Sequence, residues 1–356
     1  MDTAISHSAR KGRGAATNAS GRFERFASAA VDDGWSSMDQ PPAPLRTSIA
    51  VDTSRQVITR NQSPDLGFDR SVNPYRGCEH GCVYCYARPT HAFLGLSPGQ
   101  DFESRLFYKP DAARQLRAEL SRPGYRCKMM ALGTNTDPYQ PIENKLRVTR
   151  AILEVLAEFS HPVGITTKSA LVVRDLDLLA TMAAQRLAKV IISVTTLDRH
   201  LANKLEPRAP TPERRLAAIR ALAAAGIPTA VMVAPIIPGL TDTEIESILQ
   251  AAAQAGAGDC GYVLLRLPLE VKDLFEQWLA LHAPLKASRV MALVRETQGG
   301  KAYDSRFGVR QRGSGAYAAV ISNRFEAAAR RLGFNQRRVA LDTSRFRAPG
   351  PQLSLF

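Results

Sequence analysis

Cys78, Cys82 and Cys85 fall within one short stretch, Cys78-Glu79-His80-Gly81-Cys82-Val83-Tyr84-Cys85. The CxxxCxxC spacing lets three thiolates point into a common hollow and hold three irons of a cubane cluster. No fourth cysteine stands nearby. Iron–sulfur clusters ordinarily take four thiolates, so three ligands leave one iron with an open coordination position. At catalytic metal centres the open position is where substrate or cofactor binds. The spacing therefore points to chemistry rather than to electron storage alone. Two other readings of the triplet stay open at this level. One is a zinc site completed by His80 or His91, and the other an ordinary four-thiolate cluster with Cys127 as the fourth ligand.

The elements that must position this loop are legible as alternating patterns. A short strand-like run, Ser71-Val72-Asn73-Pro74-Tyr75, leads into the cysteines. Further candidate strands are 128–132, 163–167, 190–194, 229–234 and 261–267, each apolar or β-branched as expected for strands covered on both faces. Helix signals lie between them. Leu146, Ile152, Leu153, Leu156 and Phe159 form an apolar stripe, Thr211-Pro212-Glu213 reads as a helix start with Gly226 as its stop, and Thr241-Asp242-Thr243-Glu244 matches a capping box. Six βα units imply a parallel sheet with right-handed crossovers. The expected fold is α/β, a partial (β/α)6 TIM-type barrel over residues 60–270, with its site at the C-terminal strand ends. A doubly wound open sheet explains the cysteine placement less well.

Residues 1–59 are rich in Ala, Ser, Gly and Pro and read as a disordered tail. Residues 271–348 read as a basic C-terminal extension, with helices over 271–281 and 317–332 joined by a loop-like stretch. Residues 349–356 read as a flexible terminal peptide.

The strand ends supply candidate ligand-binding residues. Gly133, Thr134, Asn135 and Thr136 end the second strand, and small or hydroxyl residues there can approach a ligand closely. Lys168 ends the third strand, where a cation can pair with a carboxylate, and Ser193 lies on the fourth. Arg266 on the last strand is a further candidate.

The cysteine triplet with the aromatic Tyr84 before its last member resembles the radical S-adenosylmethionine (radical SAM) superfamily. Asn73-Pro74-Tyr75-Arg76-Gly77-Cys78, Gly133-Thr134-Asn135-Thr136-Asp137-Pro138-Tyr139-Gln140-Pro141 and Thr167-Lys168-Ser169 bring the resemblance to its spore photoproduct lyase-like branch. Arg88-Pro89-Thr90-His91 and Gly95-Leu96-Ser97-Pro98-Gly99 bring it to a bacterial subgroup of that branch. The resemblance spans roughly residues 60–333. It implies an enzyme whose [4Fe–4S] cluster, on Cys78, Cys82 and Cys85, cleaves S-adenosyl-L-methionine reductively to a 5′-deoxyadenosyl radical. It also implies that Tyr84, the Gly133–Thr136 stretch, Lys168 and Ser193 bind the cofactor, and that an electron donor such as flavodoxin or ferredoxin reduces the cluster. The resemblance is partial. Spore photoproduct lyase returns a hydrogen atom from a cysteine beside the second-strand end, and Gly133-Thr134-Asn135-Thr136 contains no thiol. Tyr84, Tyr86 and Tyr139 are other possible donors.

Composition adds the setting. Five cysteines without a paired pattern do not read as a secreted disulfide framework. The longest apolar run is short and broken by Pro235 and Pro238, so the expectation is a cytoplasmic protein with no membrane contact. The formal net charge is +14. From Arg289 to Arg347 there are 13 Lys/Arg against Glu296, Asp304, Glu326 and Asp342, a surplus of nine (13 − 4). Such a surface attracts phosphate polyanions. The final Gln352-Leu353-Ser354-Leu355-Phe356 is similar to the peptide by which bacterial DNA polymerases and repair proteins dock on the sliding clamp, a terminal apolar anchor on a flexible lead. Both features favour DNA, with repair of a damaged base as the expected role. Modification of RNA or a protein, and a cluster-bearing nucleic-acid sensor without turnover, are the alternatives.

Overall fold

The computed structural model describes residues 12–24 and 45–348. Its strands are β1 (Ser48–Val51), β2 (Ile58–Arg60), β3 (Arg70–Val72), β4 (Tyr75–Arg76), β5 (Arg105–Tyr108), β6 (Met130–Leu132), β7 (Val163–Thr167), β8 (Ala188–Ser193), β9 (Thr229–Ile236) and β10 (Asp259–Leu264). They form a seven-stranded sheet ordered β10-β9-β8-β7-β6-β3-β2 and a small sheet ordered β1-β5-β4. From β3 to β10 every pairing in the large sheet is parallel, and β2 adds antiparallel at the edge. These six parallel strands are the six read from the sequence. The fold is the expected partial barrel, and the sheet stays open between β2 and β10.

Helices α1 (Gln100–Ser104), α2 (Ala112–Leu120), α3 (Glu143–Leu146), α4 (Val148–Glu158), α5 (Leu176–Ala184), α6 (Arg199–Leu205), α7 (Pro212–Ala224) and α8 (Ile245–Gln254) occupy the crossovers. The expected stripe on α4 buries Ile152, Leu153 and Leu156. Pro212 stands at the first turn of α7 and Gly226, in the left-handed region, follows its end. The capping box does not form. Thr241 Oγ1 accepts from Ile237 N, and the Glu244 carboxylate takes Thr196 Oγ1 and Leu197 N beyond β8, so a 3-10 turn precedes α8. Tertiary partners outcompeted the local cap.

The strands alternate in a way the sequence does not convey. On β8 and β9, Val190, Ile192, Val231 and Val233 are fully buried, whereas Lys189, Ile191, Met232 and Ala234 are partly open and line an internal cavity. The outer face is the core, and the inner face borders a void that can take a ligand.

The open side is closed by the C-terminal region. Gly308 N and Arg310 Nε donate to the two Asp65 carboxylate oxygens, and Arg310 also reaches Ser63. The β10 edge is covered by a Leu264 N–Gln311 O bond and by the Asn335 side chain, which bonds both Cys260 N and Cys260 O. This blunts an edge that would otherwise offer free backbone groups. Helices α9 (Val271–His282) and α11 (Ala316–Arg331) lie where expected. The stretch between them was expected to be loop-like, yet α10 (Pro284–Thr297) forms with Pro284 in its first turn and buries Val290, Met291 and Val294. Ala287, Val290, Met291 and Val294 stand at helical spacing, a signal that the loop-like reading passed over.

The expectation of a disordered tail over 1–59 is also revised within the described residues. β1 pairs in parallel with β5, β2 pairs with β3, and residues 12–16 lie against the cysteine loop. Residues 349–356, with the expected clamp-docking peptide, lie outside the described residues.

Burial rather than surface charge sets the stability of this frame. Truncating Leu156→Ala on α4 removes a fully buried side chain and is expected to cost about 2–5 kcal/mol. Arg117→Ala breaks the half-exposed ion pair with Glu158 that joins α2 to α4, and should cost under about 1 kcal/mol. Urea unfolding monitored by circular dichroism distinguishes the two; equal losses would contradict this ranking.

Candidate active site

The cysteine loop follows β3 and β4 at the C-terminal end of the first barrel strand. Gly77 and Gly81 adopt left-handed backbone angles that only glycine takes without strain, and a side chain at Gly77 would meet Phe102 O at 2.9 Å. Backbone bonds fix the turns: Cys78 N to Phe102 O, Val83 N to Leu205 O and Cys85 N to Cys82 O. Gln140 accepts from Glu79 N and donates to Gly77 O.

Two walls hold the loop. On one side Val83 and Tyr84 join a core with Phe275, Trp278, Val290 and Met291 of α9 and α10. The other side is built on Arg88 and Glu103, both fully buried and ion-paired. Arg88 donates to Gly81 O, Cys82 O, Pro98 O and Gly99 O as well as to Glu103. The Glu103 carboxylate in turn accepts from Gly14 N and Ala15 N. Arg13 reaches Glu103 O, Leu45 O and Thr47 Oγ1 and so ties both ends of the N-terminal segment to the loop. A side chain at Gly14 would stand 1.8 Å from Gly81 O, so this strap lies on the loop backbone itself.

The three thiols are free, with Cys78 and Cys82 buried and Cys85 half-buried. Burial pushes all three thiols above the usual range, and the Asp137 charge raises Cys78 further. Protonated thiols in such a place become thiolates when metal replaces the protons. His80, between the first two cysteines, is 1% exposed, and its Nε2 has no hydrogen-bond partner among the described residues. It is a buried polar atom that a group bound in the loop would satisfy. Cys127 lies before β6, at the opposite end of the barrel, and Cys260 is on β10 beside Asn335, so neither completes a four-thiolate set. The donor set fits a cluster with one open iron.

Cys82 and Cys85 line a cavity of about 1050 Å³ that runs through the barrel. Of the expected cofactor residues, Tyr84, Gly133, Thr134, Asn135, Lys168 and Ser193 line it. Thr136 does not: its side chain is buried and donates to Tyr75 O. Gly133 has φ of 84°, and any side chain there would stand 1.9 Å from Thr166 O. The Asn73 side chain, missed in the sequence, orders this turn by accepting from Asn135 N and Thr134 Oγ1. Asp137 is a brace rather than a ligand, accepting from Thr167 Oγ1 and Lys168 N beside His80, and these partners hold its carboxyl down at about 2 despite burial.

Lys168 projects its ammonium 5.8 Å from the centre of the Tyr84 ring and has no carboxylate ion-pair partner among the described residues. Tyr84 itself is anchored: its hydroxyl donates to Glu206, which also takes Thr195 and the buried Arg215. Arg215 and Lys168 help hold the Glu206 carboxyl down at about 2, against the opposing effect of its burial. Nothing local in the sequence marks Glu206 or Arg215. Arg266 stacks 4.8 Å over Tyr86, with its Nε buried and unpartnered. Of the three tyrosines considered as donors, Tyr139 is fully buried against Asp175, whereas Tyr86 is 45% exposed and faces the cavity.

The strap makes a prediction that needs no bound metal. In Gly14→Val the segment must move off Gly81, and hydrogen exchange across residues 77–85 should speed up at least several-fold. The unfolding midpoint of the whole chain should change little, and Gly67→Ala, where nothing lies within 4 Å, serves as control. Unchanged exchange in the loop would mean that the strap is decoration.

The sequence model of the radical SAM superfamily matches residues 72–252. An uncharacterised protein of Mycobacterium tuberculosis is 42% identical over 232 residues, which is 65% of this chain and 68% of that protein. A radical SAM Nalpha-GlyT isomerase of Pseudomonas phage M6 is 26% identical over 188 residues, 52% of this chain and 37% of the phage protein. Among solved structures, spore photoproduct lyase complexed with dinucleoside spore photoproduct superposes with a TM-score of 0.56 at 18% identity, covering 80% of each chain. At that identity the likeness is one of fold. The match across half of the chain and the cysteine loop at the first strand end agree: this chain belongs to the radical SAM superfamily and has the fold of its spore photoproduct lyase-like branch.

Proposed function

We propose that this enzyme binds a [4Fe–4S] cluster through Cys78, Cys82 and Cys85, cleaves S-adenosylmethionine reductively, and acts on a damaged base in DNA. The observation that carries the reading is the single cavity joining Cys82 and Cys85 to the strand-end residues. Lys168, an unpaired cation at the third strand end, suits the methionine carboxylate of the cofactor. The cavity-lining turn Gly133–Asn135, held by Asn73, suits its amino group, with Ser193 across the cavity. When bound, cluster and cofactor would supply a 5′-deoxyadenosyl radical; the chain's part is to orient them and keep water away. A flavodoxin or ferredoxin would deliver the electron.

DNA is supported by the surplus of arginine after residue 289 and by the dinucleoside spore photoproduct in the solved lyase. Among the described residues the only thiols lining the cavity are Cys82 and Cys85. Hydrogen return from a cysteine beside the second strand is therefore not part of the proposal. RNA or protein modification, and sensing without turnover, are the readings this one displaces.

Anaerobic reconstitution with iron and sulfide, then reduction with S-adenosylmethionine and ultraviolet-damaged DNA, should yield 5′-deoxyadenosine. Cys82→Ala should abolish it. A fully loaded protein giving none under those conditions would sink the enzymatic reading, and a yield stimulated by transfer RNA but not by DNA would sink the DNA assignment.

We also assign Gln352-Leu353-Ser354-Leu355-Phe356 as a sliding-clamp anchor, since two Leu and a Phe follow the helix breaker Pro349-Gly350-Pro351. A peptide of residues 346–356 should bind purified clamp, and Phe356→Ala should remove binding. No binding at high micromolar concentration would overturn this.

A further inference from the structure

Behind β10, on the face away from the barrel lumen, lies a second hollow of about 740 Å³. Its floor is Cys260 and Tyr262 of β10, and its walls are the start of α11, the side of that helix that meets β10, and the turn at Asn335. Three arginines line it: Arg312, Arg330 and Arg338. None has a carboxylate ion-pair partner among the described residues, unlike Arg306, Arg310, Arg324 and Arg345 nearby. The one carboxylate in the lining, Glu326, accepts from Ser322. The Arg312 guanidinium rests 4.0 Å from the centre of the Tyr262 ring. Both Arg312 and Arg338 act on the Cys260 thiol, although burial still pushes that thiol up to about 11. Ser314, and Gly315 at the uncapped start of α11, add hydroxyl and backbone donors.

Three unpaired guanidiniums around one hollow repel one another unless an anion sits among them, and the forked guanidinium matches phosphate in particular. The position matters as much as the charge. Arg310 and Gln311 line the barrel cavity and Arg312, the next residue, lines this hollow. One loop thus separates the two, with Gln311 O fixed to Leu264 N of β10.

We propose that the Arg312–Arg330–Arg338 hollow is a phosphodiester-binding subsite, which holds the nucleic-acid backbone flanking the nucleotide that enters the barrel cavity. This rests on the nucleic-acid reading above and deepens it: the substrate is a polynucleotide strand, not a free nucleotide. The contact is to backbone phosphate, so it positions without reading sequence.

The test is binding of the full-length protein to a fluorescent single-stranded oligonucleotide, measured by anisotropy over a range of salt. Each phosphate contact contributes about 0.7 to the slope of log affinity against log salt for single strands. The combined Arg312→Gln, Arg330→Gln, Arg338→Gln variant should therefore flatten the slope by about 2 and bind about 100-fold more weakly at 0.1 M salt. A charge-matched control, Arg199→Gln with Arg214→Gln and Arg220→Gln, should keep most of the affinity. All six side chains are exposed, so unfolding midpoints should match and exclude misfolding. Equal losses in both variants would mean diffuse attraction and would overturn the subsite. Displacement of the oligonucleotide by polyglutamate as readily as by inorganic polyphosphate would overturn the phosphate assignment. A wild-type chain that binds no nucleic acid would fail at the level of the functional reading instead.

Discussion

Everything at the proposed cluster site depends on one buried ion pair. A guanidinium has five N–H donors, and Arg88 places all of them, four bonds going to backbone carbonyls and one to Glu103. Taking both charges out of water costs several kcal/mol per ion, so such a pair is a poor source of stability on its own. Its value here is specification. Two of the carbonyls belong to the cysteine loop and two to the turn before α1, and Glu103 carries the N-terminal strap. Loss of either partner would strand a charge and release three segments together.

The barrel shows a division of labour between its two faces. Outward residues of β7 to β10 make the core with α4, α5, α7 and α8, while inward ones, from Gly164 and Thr166 to Ile191 and Met232, border a void. Ordinary barrels fill the lumen with branched side chains. This one gives up that burial, and its packing lies in the outer layer and in the second core under the cysteine loop. Gly164 illustrates the point: it sits where a larger residue would press on Met129 and Lys189 inside the lumen.

The sequence was most legible where structure is periodic. The run 163–167 became β7 to the residue, because β-branched strands bounded by polar turns have few other options. Cys78, Cys82 and Cys85 were readable from spacing, and Gly133 from its place at a strand end. What escaped was long-range. Glu103 meets Gly14 across 89 positions, and Tyr84 meets Glu206 across 122, so no local pattern betrays them. Thr136 was named with its neighbours because strand-end chemistry looks alike in sequence, and only the turn made by Asn73 decides which hydroxyls face inward. Helix α10 was legible in the spacing of Ala287, Val290, Met291 and Val294 but was passed over among basic residues, and residues 12–16 were hidden by a composition that resembles a tail.

The clasp between Asp65 and Arg310 joins groups 245 positions apart. A chain emerging from the ribosome exposes the cysteines long before Arg310 appears, so the compartment has no side wall during most of synthesis. Once the last third of the chain folds over the open seam, the Asp65 clasp closes that side of the barrel. The order of the walls along the polypeptide means that the cysteine loop is made long before the seam beside it can close.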